Sequence, residues 1–528
     1  MYKINQYPFP LPEDALKKDK YAKNWPIVYL LDDNKYIYVG ETYNLISRMR
    51  QHKENPEKRI FKRVHVVYDN EFNKSATLDI ESALIRYMSA DEKFIVSNKN
   101  EGLVNSNYYQ RDLYQKKIVD IWSELQKINL AKKNIIEIEN SDLFKFSPYK
   151  ALSEDQLTVA VTIHEDLFHK TQMNEKGVYF INGLPGSGKT VLATYLMKYL
   201  QQSEDLKFKK IALVISMSSL RNTIKKTFRN VEGLKSSMVI GPSDIHKDEY
   251  DLLIVDEAHR LRQRTGIVNY ASFDQKNLEF ELENGNELDW IKQSAKHLIL
   301  FYDENQSIRP SDISKTEFNS LNPTTSFTLQ SQFRVMAGME YVHYVKNIFN
   351  NEQLDKRVFE NYECGIFESF SDMYTKIKAI QATNDLSLLV SGYSYEWVSK
   401  QNPSLFDFNI DGIKLQWNST SDNFIYSKNA PNEVGCIHTV QGYELNYVGL
   451  IIGEDIDYDF KHKEIIINPS KYYDRNGKVS TTYDQLKQYI QNIYMTLATR
   501  GIKGIYFYVV NPNMKKYLSQ FFDMIHQP

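Results

Sequence analysis

Cysteine is nearly absent. The 528-residue chain holds two, Cys364 and Cys436, far apart and without a CxxC spacing. That excludes a disulfide framework or a cysteine-rich zinc site and fits a reducing cytoplasm. No run approaches the ~18 apolar residues of a membrane span, and the opening MYKINQYPFPLPED lacks the apolar core of a signal peptide. A dominant charge is missing too. With 65 Lys and Arg against 67 Asp and Glu, the net charge is −2, so a polyanionic partner must be held by local basic patches and not by a whole-molecule field. There is no internal repeat and no low-complexity tract.

What is present is ordinary for a soluble globular protein: 42% hydrophobic and 25% charged residues, over a length that suits three or four domains. The first 107 residues alternate short strand-like and helix-like pieces. Residues 108–132 read as a helix with Ile118, Ile121, Trp122 and Leu125 on one face. A polar stretch near 135–150 reads as a linker, followed by a capping-box-like Ser153-x-x-Gln156. Beyond it, seven apolar runs (GVYFIN, IALVIS, LLIVD, HLILFYD, LSLLVS, VGLIIG and GIYFYVV) alternate with helical stretches. The alternation predicts an α/β fold with parallel sheets covered by helices, in two lobes over 151–320 and 321–528.

GLPGSGKT, residues 183–190, follows one of these runs and precedes the helical TVLATYLMKYL. Gly183, Gly186, Ser187 and Gly188 form a turn whose backbone N–H groups can surround phosphate oxygens. Lys189 adds charge at the β/γ-phosphates, Thr190 a hydroxyl for Mg2+, and the helix its positive end. In YDLLIVDEAHRL (250–261) a strand ends in Asp256 and Glu257. Asp256 is expected to hold Mg2+, and Glu257 to polarise the attacking water.

A P-loop followed by DEAH resembles a nucleic-acid-stimulated helicase motor, and the later motifs resemble superfamily 1. FYDENQSIRP (301–310) is similar to its third motif, with Asp303 and Gln306 near the γ-phosphate. LQSQFR (329–334) and YMTLATRGIKGIYFYVV (494–510) supply Arg334 and Arg500 as arginine fingers. IHTVQGYELNYVGLII (437–452) supplies Gln441, Gly442 and Glu444, and LSEDQ (152–156) supplies Gln156 for the adenine base. Outside this context, Arg334 and Arg500 read equally as salt-bridge partners. FSPYKALSEDQ and INGLPGSGKT narrow the resemblance to bacterial Schlafen-like helicases. The resemblance implies two RecA-like lobes, with ATP as substrate and Mg2+ as cofactor. Arg221, Lys225 and Lys226 in VISMSSLRNTIKKTF suit a phosphate backbone, or a solvated helix face.

The N-terminal segment WPIVYLLDDNKYIYVGET reads as two strands joined by DDNK. NLISRMRQHKEN then reads as a helix with Asn44 at its N-cap and Arg48 and His52 at i, i+4 on one face. A helix over 75–90 has an apolar face that includes Leu78, Ala83 and Leu84. Glu81 interrupts it as a metal ligand or a solvated neighbour. The combination resembles the GIY-YIG nucleases, with IVY (27–29) and YVG (38–40) in place of GIY and YIG. Ile27 stands at that family's first Gly, and the acidic Glu41 follows YVG. The resemblance implies a small α+β nuclease domain over 1–107. In it Glu81 holds one Mg2+, Arg48 binds the scissile phosphate, Tyr38 is the general base with His52 able to share that role, and Tyr29 orients water or phosphate. Asn98, with Asn100 and Asn105 as rivals, is the asparagine that follows. Arg48, Arg50, Lys53, Lys58, Arg59, Lys62 and Arg63 suit a phosphate track, or a solvated basic helix.

Together these resemblances imply a Mg2+-dependent endonuclease joined to an ATP-driven motor on nucleic acid, DNA favoured over RNA. They imply no membrane partner and a cytoplasmic location, and where both strands are cut, a homodimer or higher oligomer or else two sequential events. Bacterial fusions of this kind look like antiviral or restriction factors. An ATP-gated switch without translocation, or a repair or RNA-processing enzyme, fits the same motifs.

Overall fold

The computed structural model describes residues 2–12, 21–98, 108–150, 152–303, 306–384, 386–421 and 423–526; Asn100 and Asn105 lie outside them. The chain forms two compact units. One comprises residues 1–164, 191–207 and 222–239, and the other residues 165–190, 208–221 and 240–528.

The first unit is built on a five-stranded sheet in the order Lys3–Pro8, Arg63–Tyr68, Lys23–Asp32, Tyr36–Asn44, Ile95–Val96. All pairs are antiparallel except the last. Aromatic and β-branched residues dominate the central hairpin, as sheet packing favours, and its turn is made at Asn34 with φ +78°. The core gathers Ile27, Tyr29, Leu31, Leu45, Met49 and Val66. Asn44 caps the helix Leu45–Glu54 by accepting from Ser47 N–H. Asn73 caps the helix Lys74–Asp91, in which Ala83 and Leu84 are buried but Leu78 is exposed. The helix expected over 108–132 spans Arg111–Lys127 and buries Ile118, Ile121, Trp122 and Leu125. The stretch read as a linker holds two short helices, Ile135–Asn140 and Asp142–Lys145. Its polar Asn134 and Ser141 are their N-caps, so turn-forming composition there marks helix starts.

In the second unit, five strands of one sheet run parallel in the order Thr325–Leu329, Val178–Gly183, Ala295–Tyr302, Tyr250–Asp256, Ile211–Ile215. Parallel pairing brings the carboxyl ends of these strands to one edge. A second sheet has eight strands, parallel apart from the hairpin pair Phe408–Ile410 and Ile413–Trp417. Its centre is Ser387–Ser391, Leu445–Ile452 and Gly501–Val509. Each of the seven apolar runs is a strand of one of these two sheets. No helix among the described residues is long and apolar enough to cross a membrane.

Candidate active sites

The first site lies at the carboxyl edge of the parallel strands. After Val178–Gly183 the chain turns through Gly186 and Gly188, whose φ values of +87° and +79° are left-handed. At Gly186 space also matters: a Cβ there would come within 2.0 Å of Gln332 Oε1. Ser187 is buried in the turn, its Oγ against Gly183. Lys189 opens the helix Lys189–Gln201. Its Nζ donates to the Gly183 and Leu184 carbonyls and lies 3.4 Å from Asp303 Oδ2.

Asp256, at the end of Tyr250–Asp256, is fully buried. Its Oδ1 accepts from Glu257 N–H at 3.0 Å, while Oδ2 is buried with no hydrogen-bond partner; the Thr190 side chain is near enough to hold the carboxyl's pKa down in part. Burial, then the neighbouring Glu257 charge, raises the Asp256 pKa. Glu257 takes φ +52°, uncommon for a residue with a Cβ and the kind of strain that collects at functional sites. It sits at the N-cap position of a short helical turn without capping it. Its Oε2 instead lies 3.0 Å from His259 Nε2.

Segments distant in sequence close on the same loop. Gln332 Nε2 donates to the Pro185 carbonyl at 2.8 Å, and Phe333 N–H to the Gly186 carbonyl at 2.9 Å. These bonds fix Arg334, whose Nε is 3.7 Å from Glu444 Oε1 and whose Nε and Nη1 are buried without hydrogen bonds. Arg500 is 1% exposed. Its Nη1 donates to the Tyr443 carbonyl at 3.2 Å, its Nε has no partner, and burial together with the Arg334 guanidinium lowers its pKa to about 9. Gly442 turns with φ +88°. A buried relay links the elements: Gln306 donates to Asp303 at 2.7 Å, Gln441 to Gln306 at 3.5 Å, and Arg260 to Gln441 and Asp312. Gln332 and Arg260 were not singled out by the sequence reading, although both lie inside quoted motifs. Gln156 is buried in the other unit, where its Oε1 accepts from Ser153 N–H at 3.2 Å.

Three expected phosphate contacts are otherwise engaged. Arg221 donates to the Ile215 and Ser216 carbonyls and to Ser218 Oγ, closing a strand end. In the N-terminal track, Lys58 is buried with its Nζ 3.6 Å above the Tyr38 ring, and Arg63 pairs with the buried Asp32. Arg50, Lys53, Arg59 and Lys62 remain exposed.

The second site lies in the first unit. Tyr29 and Tyr38 stand on neighbouring antiparallel strands, with Tyr29 opposite Gly40 and Tyr38 opposite Leu31. The Tyr29 ring lies across Gly40, where a Cβ would come within 2.3 Å of its hydroxyl. Arg48 and His52, one helical turn apart, both reach that hydroxyl: Arg48 Nε donates at 3.1 Å and His52 Nε2 is 2.7 Å away. The Tyr38 ring is 5.3 Å from the His52 ring. Burial raises both tyrosine pKa values, with the Glu81 charge adding to the rise in each. Burial, then Arg48 and Lys58, lowers His52 to about 4, so its imidazole is neutral at pH 7. Glu41 forms an ion pair with Lys74, which offsets its charge beside the site. The Asn98 amide bonds Val39 in both directions, accepting from its N–H at 3.1 Å and donating to its carbonyl at 2.7 Å. Gly40→Ala is expected to cost about 1–3 kcal/mol through overpacking. Urea unfolding monitored at the first unit should show an earlier midpoint, and an unchanged one would refute this account of Gly40.

Residues 176–511, well over half of the chain, match the family described as Schlafen group 3, DNA/RNA helicase domain. An uncharacterized protein of Saccharomyces cerevisiae is 25% identical over 402 residues, covering 66% of this chain and 85% of its own. Three solved structures are similar at low scores. The arterivirus nonstructural protein 10 helicase with DNA has TM-score 0.31 and 12% identity, over 67% of this chain and 65% of that one. The Bacteroides Pif1 helicase with ADP-AlF3 and ssDNA has TM-score 0.27 and 13% identity, over 65% and 91%. Mss116p with ssRNA and AMP-PNP has TM-score 0.32 and 10% identity, over 70% and 74%. The chain thus spans just under two thirds of the arterivirus chain.

Proposed function

The chain belongs to the Schlafen group 3 DNA/RNA helicase family, and from that premise we propose an ATP-hydrolysing motor on nucleic acid that carries its own Mg2+-dependent endonuclease in residues 1–107. The observation that carries the motor reading is a pair of guanidinium groups with buried N–H groups, Arg500 fully buried and Arg334 partly. Burial and then the Arg334 charge lower the proton affinity of Arg500, and both side chains hold buried N–H groups without acceptors. Such a pair is costly in the interior unless an anion supplies the missing acceptors. A γ-phosphate beside Lys189 meets that need.

The donor set also fits a divalent cation, because the Asp256 carboxyl has a buried oxygen without a hydrogen-bond partner and the Thr190 side chain acts on the same carboxyl. Mg2+ held by these two residues would neutralise phosphate charge. The remaining work belongs to the chain. Lys189 and the loop amides hold the β- and γ-phosphates, and Glu257 orients the attacking water and accepts its proton. Arg334 and Arg500 stabilise charge as the terminal phosphoryl group leaves. Gln306 is assigned to sensing the γ-phosphate, and Gly442 and Glu444 to setting the Arg334 side of the site.

The nuclease reading rests on the convergence of Arg48, His52 and both tyrosines, with the Glu81 charge reaching each phenol. A phenol raised by burial beside a carboxylate suits a nearby cation, which would draw both toward their ionised forms. Mg2+ on Glu81 would stabilise the leaving oxygen. Arg48 binds the scissile phosphate, Tyr38 deprotonates the attacking water, and neutral His52 receives a hydrogen bond from Tyr29 and so aims it. Asn98 positions the strand that bears Tyr38. Because His52 titrates near 4, the cleavage rate is expected to show no imidazole inflection near pH 6.5, and with a phenol raised by burial as the base it should rise with pH through the neutral range. A pH–rate profile with an inflection near 6.5 that His52→Ala removes would contradict this.

A second reading, an ATP-gated switch without translocation, is favoured by one observation. Residues 191–207, from the helix that opens at the P-loop, share a compact unit with the nuclease residues. Cleavage of oligonucleotides too short to translocate on, with wild type and Lys189→Ala compared, separates the two. A changed rate supports the switch, and an unchanged one the motor. A single nuclease site cuts one strand at a time, so double-strand breaks call for a dimer or for two sequential events. We assign the chain to antiviral defence or restriction by analogy of architecture.

A further inference from the structure

The helix Lys189–Gln201 carries two lysines of different purpose. Lys189 faces the P-loop carbonyls. Lys198, nine residues on and so about 13 Å along the same axis, is fully buried and no part of the nucleotide chemistry uses it. A buried ammonium needs strong local compensation. Here it donates to the Asn98 carbonyl at 2.8 Å and lies 3.7 Å above the Tyr149 ring. The Tyr149 hydroxyl donates to the same Asn98 carbonyl at 3.3 Å and to the Val96 carbonyl at 3.0 Å. Val96 in turn bridges Val231 in parallel register. Burial draws the Lys198 pKa down to about 7, with Glu232 opposing.

The other end of Asn98 leads to the nuclease. Its side-chain amide grips both polar groups of the Val39 backbone, and Val39 directly follows Tyr38. An unbroken path of hydrogen bonds and covalent structure therefore runs from the P-loop helix through Lys198 and Asn98 to the strand bearing Tyr38.

We infer that Lys198 is a positioning residue by which the motor helix holds the nuclease strand Tyr36–Asn44 in place, so that nucleotide binding at the P-loop is felt at Tyr38. This rests on the nuclease reading only for its consequence for cutting; the mechanical link stands apart from it. The atoms that touch nucleic acid remain those of the nuclease site, and Lys198 acts on them through Asn98.

The test uses the full chain as wild type, Lys198→Met and Lys198→Arg. Amide hydrogen exchange over residues 36–44 is measured with and without a non-hydrolysable ATP analogue and Mg2+, beside ATP hydrolysis and plasmid nicking. The expected result is an exchange rate in wild type that changes on nucleotide addition by about tenfold, the order expected for one hydrogen bond to a charged donor. Lys198→Met should lose that response while ATP hydrolysis stays within about twofold, and Lys198→Arg should restore part of it. A strand that ignores nucleotide in wild type, or a Lys198→Met chain that responds as wild type does, overturns the inference. Should Lys198→Met not fold, Tyr149→Phe removes the hydroxyl at Asn98 but keeps the ring. A weakened response then supports the path, and a full one overturns it. A chain that cuts nothing yet shows the Lys198-dependent exchange response refutes the nuclease reading and leaves the link standing.

Discussion

Arg500→Ala is expected to lower ATP turnover by about 10³-fold or more, the scale of a lost arginine finger, while nucleotide affinity falls far less. The guanidinium is 1% exposed, donates to the Tyr443 carbonyl, and is pulled down to about 9 by its burial and then by the Arg334 charge. A residue kept only for packing would not be set beside a second buried cation, because each raises the cost of the other. Its charge is useful where negative charge develops, and a group that acts there changes kcat more than ground-state binding. Steady-state ATP hydrolysis and equilibrium binding of a fluorescent nucleotide separate the two. Arg500→Lys should recover little, because a point charge does not reproduce the planar fork. If Arg500→Ala instead leaves kcat intact and weakens binding, the residue is a ground-state contact or a structural tie to Tyr443.

The second large effect is placed at Glu81. Glu81→Gln is expected to reduce phosphodiester cleavage by about 10²–10⁴-fold, the equivalent of several kcal/mol of metal-supplied charge stabilisation, and to leave ATP hydrolysis unchanged. Glutamine preserves size and hydrogen bonding, so a loss isolates the charge. Glu81 is half-buried on the helix Lys74–Asp91, and its charge is felt at both Tyr29 and Tyr38. Isothermal titration with Mg2+ gives a readout other than cutting: one binding event present in wild type should disappear in Glu81→Gln when the P-loop site is separately disabled by Asp256→Ala. Persistence of that event would move the metal elsewhere.

How much of this was legible in the sequence depended on the physics of each element. The seven buried strands announced themselves because a strand covered on both faces reads as a continuous apolar run. Thr325–Leu329 did not, because its Ser326 and Thr328 are exposed and leave no such run. The glycines of GLPGSGKT were readable because a left-handed φ admits few other residues. Gly40 was readable only as part of a motif, and its reason, the ring of Tyr29 lying across it, is a cross-strand contact that spacing does not report. Arg221 and Lys58 show the limit of charge counting. Both looked like phosphate ligands, and both are engaged, one by backbone carbonyls and one by an aromatic face. Lys198 gave no signal, because residues 191–198 are all buried and a lone lysine inside an apolar helix is indistinguishable in sequence from a solvated one.

The most direct test of the central claim, a nuclease and an ATP motor in one chain, is the fate of supercoiled plasmid DNA incubated with the full-length protein in Mg2+, with and without ATP. The account predicts conversion to nicked circles, at a rate that ATP changes. Plasmid that stays supercoiled under both conditions, with single-stranded RNA equally intact, would contradict it and leave the N-terminal unit as a binding module on a helicase-family ATPase.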